Sequence, residues 1–108
     1  MDSITYDDFQ KLDIKVGTIL SVENIEGSEK LLKIMIDFGV ETRQIISGIA
    51  KWYVSGDLVG KQVPVLINLE PKKFLGQESQ GMILMADGQE KPIQLHPLEP
   101  VASGTIVR

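Results

Sequence analysis

Over residues 31–38 apolar and polar side chains alternate. Leu32, Ile34, Ile36 and Phe38 fall on one side of an extended chain, and Leu31, Lys33, Met35 and Asp37 on the other. A period of two marks a β-strand with one face in the core, and Gly39 ends it. The same period recurs over 13–25, where Ile14, Val16, Leu20 and Val22 share a face opposite Lys15, Ser21 and Glu23; Gly17 in the middle predicts a bulge or sharp bend. Residues 43–49 predict a third strand, with Arg43, Ile45 and Ser47 on one face. A fourth over 62–69 sets Val63, Val65, Ile67 and Leu69 against Pro64, Leu66 and Asn68, and a fifth over 79–86 stops at Asp87 and Gly88. Between the last two, a turn at Glu70 and Pro71, the basic pair Lys72 and Lys73, and Gly76 form a loop held by two rigid strands, where binding residues tend to sit.

Helical signals are short. Thr5 followed three residues later by Asp8 predicts an N-capped helix over 5–12, with Phe9 and Leu12 plugging the end of the core. Residues 50–60 predict one or two helical turns anchored by Trp52 and Leu58, and Gly48 allows a close turn before them. Beyond Gly88 the chain turns around Pro92, Pro97 and Pro100, with short apolar pieces at 93–95 and 105–107 that pair as edge strands or face a second subunit. Five strands with a helical connection between the third and fourth predict a small all-β barrel, either an OB-fold or an SH3-like barrel.

The 108 residues suit one domain with a modest core, and 43% hydrophobic with 24% charged residues is ordinary globular composition. No apolar run approaches the roughly 20 residues that span a bilayer, and the acidic start is unlike a signal peptide. There are no cysteines. That removes disulfides, thiolate metal sites and cysteine nucleophiles, and suits a cytoplasmic chain. The net charge of −4 argues against a polyanionic partner until its distribution is considered. Residues 30–73 hold seven basic and four acidic groups, a balance of +3; the rest of the chain holds four and eleven, a balance of −7. A basic middle between acidic ends permits one cationic face.

No catalytic constellation emerges. His96, the single histidine, adjoins Pro97 in the tail, the carboxylates are scattered through turns, no metal-ligand spacing occurs, and the glycines form neither a Rossmann fingerprint nor a P-loop. The expectation is a non-enzyme without cofactor or metal. The groups suited to a nucleic acid are Lys30, Arg43, Lys72 and Lys73 for phosphates, and Ser47, Asn68 and Ser79 for sugar or phosphate oxygens, with Gly76 and Gly81 allowing a backbone to approach. Stacking platforms are few: Trp52, assigned to the core, Tyr53 and Phe74. Recognition of a folded RNA by shape and backbone fits this inventory better than a run of stacked bases. Each group also has a plainer role: a solvated lysine pair, an Arg43–Glu41 or Arg43–Asp37 surface pair, Asn68 bonding its own turn, Met82 and Met85 filling the core.

The spacing N-L-x-P-x-K-x-x-G-x-x-S-x-G-M, carried by Asn68, Leu69, Pro71, Lys73, Gly76, Ser79, Gly81 and Met82, resembles the signature of the tRNA-binding domain. That domain is appended to methionyl-tRNA synthetases and occurs as a free-standing tRNA binder; related copies occur in the endothelial monocyte-activating polypeptide and phenylalanyl-tRNA synthetase. The resemblance extends to residues 9–17, to Glu29, Lys30 and Leu31, to Asp37, Phe38 and Gly39, to 43–49 and to Tyr53, so that it covers nearly all of residues 9–87 in order. It selects the OB-fold: a five-stranded barrel with a short N-terminal helix, a helical connection between strands three and four, and a C-terminal extension.

By that similarity, 1–108 form a single domain with its core at 9–87, and tRNA contacts fall on Lys30, Arg43, Ser47, Asn68, Lys73, Ser79 and Met82; Lys72 joins them on charge. Strict alternation puts Met82 on the opposite strand face from Ser79. The resemblance also implies binding of tRNA as a folded object, either as a helper to methionyl-tRNA synthetase or another aminoacyl-tRNA synthetase or as a free-standing tRNA binder, and any role in aminoacylation is expected to be in trans. It further implies a homodimer built with residues 88–108. The rival is a dimeric, secretion-related chaperone of the same scaffold that binds unfolded polypeptide through an apolar groove, for which Met35, Leu66 and Phe74 are candidates. A third possibility is a structural dimerisation module for a synthetase.

Overall fold

Twelve short elements follow one another in the computed structural model, which describes residues 1–108. They are α1 (Tyr6–Gln10), β1 (Ile14–Asn24), β2 (Leu32–Asp37), β3 (Thr42–Ser47), α2 (Ser55–Leu58), β4 (Gln62–Leu66), β5 (Lys72–Phe74), β6 (Gln77–Ser79), β7 (Met82–Ile83), β8 (Met85–Asp87), β9 (Pro92–Gln94) and β10 (Ile106–Val107). The main sheet runs β3-β2-β1-β4-β7, all neighbours antiparallel. Its two ends are drawn together at residues 44–46 and 79–80. The Gln80 N–H donates to the Gln44 carbonyl at 2.8 Å, the Gln80 Oε1 accepts from the Gln44 N–H at 3.1 Å, and the Ser79 hydroxyl accepts from the Ile46 N–H at 2.9 Å. Side chains thus stand in for part of the missing ladder, and the sheet becomes a five-stranded OB-type barrel with α2 between the third and fourth strands.

The core is aliphatic: Ile19, Leu32, Ile34, Ile36, Phe38, Ile45, Ile49, Leu58, Val63, Val65, Ile67 and Ile83 form one buried cluster. The alternation of β2 holds throughout, because both its edges are paired and one face meets the barrel interior. In β1 the alternation does not. The register with β2 shifts between Ile19 and Ser21, which turns Ile19 into the core and leaves Leu20 exposed. Gly17 is not that bulge. It pairs regularly with Val63, and a Cβ there would lie 2.2 Å from Ile36 Cγ2 and 2.8 Å from Phe38 Cε1. Glycine at this position lets β1 lie close against the Ile36 and Phe38 side chains.

Helix α1 starts as the sequence predicts. The Asp8 N–H donates to Thr5 Oγ1 at 3.1 Å and the Thr5 N–H to Asp8 Oδ2 at 3.3 Å, a reciprocal cap, and these bonds together with Lys11 hold the Asp8 carboxyl below its ordinary value. Its expected role as a plug is not observed: Leu12 is exposed and Phe9 only half-buried, for five residues present too little surface to cover the barrel end. Leu58 is fully buried, whereas Trp52 is 42% exposed; Tyr53 takes the inward place of that turn and donates its hydroxyl to the Pro92 carbonyl at 2.7 Å.

The C-terminal extension packs back on β1 and β4. β9 pairs with β8 and β10 with β1, the Gln62 side-chain amide bonds both the N–H and the carbonyl of Val101, and Thr18 Oγ1 lies 2.8 Å from Ser103 Oγ. His96 is exposed, its Nδ1–H donating to the Gln62 carbonyl at 2.8 Å. Gly104 makes the closest approach: at φ +91 its N–H donates to the Val16 carbonyl, and a Cβ would sit 2.2 Å from the Phe38 carbonyl oxygen. Gly104→Ala is therefore expected to lift this segment from β1 while the barrel persists. Hydrogen exchange checks it: the amides of Val16, which donates to the Thr105 carbonyl, and of residue 104, which donates to Val16, should lose protection, and those of β2 keep theirs.

Candidate nucleic-acid interface

The predicted loop between the fourth and fifth strands is a β-hairpin. β5 and β6 pair Lys72 with Ser79, Lys73 with Glu78 and Phe74 with Gln77. Two residues close it, Leu75 at φ 49 and Gly76 at φ 79, the positive pair that a tight hairpin turn requires. A leucine takes the left-handed position that Asn usually fills, so no Asn-Gly signal marks the turn in the sequence. The expected continuous strand over 79–86 is broken at Gly81, whose φ of +146 and closeness to the Leu66 carbonyl (2.8 Å from a built Cβ) turn the chain from β6 into β7. Gly81 is buried, so its lack of a side chain serves the barrel wall rather than the approach of a nucleic-acid backbone. The break also resets the alternation, and Ser79 and Met82 border the same cleft despite their odd spacing.

That cleft, about 200 Å³, lies between the hairpin and the barrel and is bordered by Ile46, Leu69, Glu70, Lys72, Phe74, Ser79, Gly81 and Met82. Leu69 and Met82 are each 46% exposed, although the strand pattern puts Leu69 in the core; β4 ends at Leu66, so the alternation does not carry through to Leu69. Lys72 Nζ stands 5.2 Å from the Phe74 ring centroid, a cation over an aromatic face. Lys73, the next residue along β5, points to the other side of the hairpin. Lys30 is exposed on a turn that Ser28 Oγ stiffens by accepting from the Lys30 and Leu31 N–H groups at 3.1 Å. Its carbonyl accepts from the Ala50 N–H, and Ser47, half-buried at the end of β3, pairs with Leu32. Lys30 and Ser47 therefore adjoin the β3 end that carries Ile46, Ser79 and the hairpin. None of Lys30, Lys72 and Lys73 is in an ion pair; the three ion pairs are Lys11–Asp8, Lys33–Glu23 and Arg43–Glu41.

The other predicted contacts are engaged within the fold. The Arg43 guanidinium donates to the Ile67 carbonyl, to the Gln80 carbonyl at 3.2 Å and to Glu41 Oε1 at 2.6 Å, and this last bond holds the Glu41 carboxyl below its ordinary value. Asn68 does not bond its own turn. Its Oδ1 accepts from the Asp13 N–H at 2.9 Å and its Nδ2 donates to the Lys11 carbonyl at 2.6 Å, tying the end of α1 to the chain beyond β4. Ser79 is buried, and its hydroxyl accepts from Ile46 and donates to the Gly81 carbonyl at 3.1 Å. Ile46, Leu69 and Glu70 also border the cleft, beyond the residues expected from the sequence. The signal available for Leu69 was its place one residue past Asn68, at the end of a strand rather than inside one. No group of three His, Asp or Glu residues is placed to hold a metal ion, and no helix is long and apolar enough to cross a membrane.

Residues 14–106 match the family described as "Putative tRNA binding domain". The methionine–tRNA ligase of Archaeoglobus fulgidus is 50% identical over 106 residues, which is 98% of this chain and 16% of the ligase, so the chain spans about one-sixth of that relative's length. Among solved structures, a MetRS-related protein from Pyrococcus horikoshii superposes with a TM-score of 0.94 at 38% identity, covering all of both chains. The chaperone CsaA of Bacillus anthracis superposes at 0.89 with 27% identity over 99% of this chain and all of that one. With the strand order, the nearly closed barrel and a match over most of its length in agreement, the chain belongs to the tRNA-binding domain family.

Proposed function

We propose that this protein is a non-catalytic module, one domain over 1–108, that binds tRNA as a folded object through its shape and phosphate backbone, assisting methionyl-tRNA synthetase in trans in the cytoplasm. The observation that carries this reading is a hairpin with an exposed lysine outside any ion pair on each face, Lys72 and Lys73, beside the turn of Lys30 that Ser28 braces. Lysines on a fixed scaffold meet phosphates at defined spacing, which suits a folded RNA. On this reading Lys30, Ser47, Lys72, Lys73 and Met82 face the RNA, while Arg43, Asn68 and Ser79 shape the surface that presents them. A second copy would cover Ile93, Leu95, Leu98 and Ile106, left exposed by residues 88–108, and would double the cationic surface.

Fluorescence anisotropy of labelled, unfractionated tRNA over a salt series tests the proposal. Saturable binding that weakens steeply with salt is expected. Lys72→Ala/Lys73→Ala should lower affinity about tenfold or more at low salt and flatten the dependence on log salt by about one per lysine. Absence of binding at low salt would refute it. A second reading, binding of unfolded polypeptide, has in its favour the likeness to the CsaA chaperone and the exposed Leu69 and Met82 of the cleft. Competition by an unfolded protein distinguishes the two.

A further inference from the structure

We propose that the cleft between the hairpin and β3 takes a single unstacked nucleobase of the bound RNA, with Lys72 on the phosphate of the same nucleotide; this rests on the tRNA-binding reading above. The cleft holds about 200 Å³, a space on the scale of one base. Its walls are the flat ring of Phe74 and the side chains of Ile46, Leu69 and Met82, the apolar sandwich in which an extruded base is held. Opposite charges flank the opening. Lys72 has no carboxylate partner and is free for a phosphate, while Glu70, which accepts hydrogen bonds only, meets the amino or imino donors of a base edge. A nucleotide presents both groups on one rigid body; an apolar peptide side chain presents neither.

The occupant is one base and not a strand. Tyr53, the other aromatic near the basic middle of the chain, is packed on the core, with its hydroxyl bonded to the Pro92 carbonyl. A platform for a second consecutive base is missing beside Phe74. Loops of folded RNA already expose unstacked bases, so a single pocket of this kind adds register to a surface that otherwise recognises only backbone.

The test compares salt slopes. Met82→Ala and Leu69→Ala alter side chains that are nearly half exposed, so the barrel should remain folded, which circular dichroism checks. Each removes one aliphatic wall and should weaken binding of labelled tRNA about fivefold or more, at every salt concentration and with the wild-type slope. Lys72→Ala should instead flatten the slope. Wild-type affinity in both folded variants overturns the base pocket and leaves tRNA binding standing; absence of tRNA binding by the wild type removes both. Displacement of tRNA by a reduced, unfolded protein, with that competition lost in Met82→Ala, would put a peptide side chain in the cleft and overturn the proposal.

Discussion

Gly17→Val will unfold this protein well below the denaturant concentration that unfolds the wild type. The Cβ alone would stand 2.2 Å from Ile36 Cγ2 and 2.8 Å from the Phe38 ring, and neither neighbour has room to retreat: both are buried inside the barrel. Even Gly17→Ala introduces one methyl into filled space, an overpacking penalty of about 1–3 kcal/mol against which the entropy gained over glycine is smaller. Valine adds two further methyls on a stiff rotamer, and the loss should exceed about 3 kcal/mol, a large part of the 5–15 kcal/mol typical of a domain. Urea denaturation measures it. Pairing Gly17→Ala with Ile36→Ala provides an internal control, since the double variant should be less unstable than the two single losses predict. An unchanged midpoint for Gly17→Val would mean that the strand bends away at this glycine, as its sequence pattern alone suggests.

Ser79→Ala should act on the fold before it acts on any ligand. Removing the hydroxyl leaves the Ile46 N–H, buried and at the barrel seam, with no acceptor, which costs about 1–3 kcal/mol. The Gly81 carbonyl loses its donor at the same time. Gln80→Ala removes a comparable bond to the Gln44 N–H, but from an exposed side chain where water replaces it, so its effect should be smaller. The order of urea midpoints, wild type above Gln80→Ala above Ser79→Ala, and faster hydrogen exchange at Ile46 in Ser79→Ala, check this. A Ser79→Ala protein with wild-type stability and weakened tRNA binding would return Ser79 to the contact surface.

The difference between what the chain announces and what it conceals follows the range of the interactions. The β2 alternation, the Thr5–Asp8 cap and the position of Leu58 depend on neighbours a few residues away and on burial, both visible in a pattern of side chains. The register shift at Leu20 is invisible because β2, not β1, determines where the extra residue is accommodated. The engagement of Asn68, Arg43 and Ser79 is concealed more deeply. Their partners lie 55–57 residues away for Asn68, 33 for Ser79, and 24 and 37 for the two carbonyls on Arg43, whose pairing with Glu41, two residues away, is the one part legible in the sequence. A polar side chain beside a lysine pair has the composition of a binding site whether it faces a ligand or a distant backbone amide. Trp52 illustrates the converse: large apolar residues are usually buried, but this short turn has room inside for only one aromatic, and Tyr53 takes it.

The pairing of β10 with β1 has a kinetic consequence. Val107 is hydrogen-bond neighbour to Ile14 across 93 residues of chain, and the pairing comprises two residues a side. Closing so long a loop for so few contacts is entropically unfavourable until the barrel between them exists. The β10 segment is thus expected to settle after the barrel in folding and to leave early in local opening. Whatever joins this face, a second copy included, would be captured by an already formed barrel, so that assembly waits on folding and holds closed the part of the chain most ready to come loose.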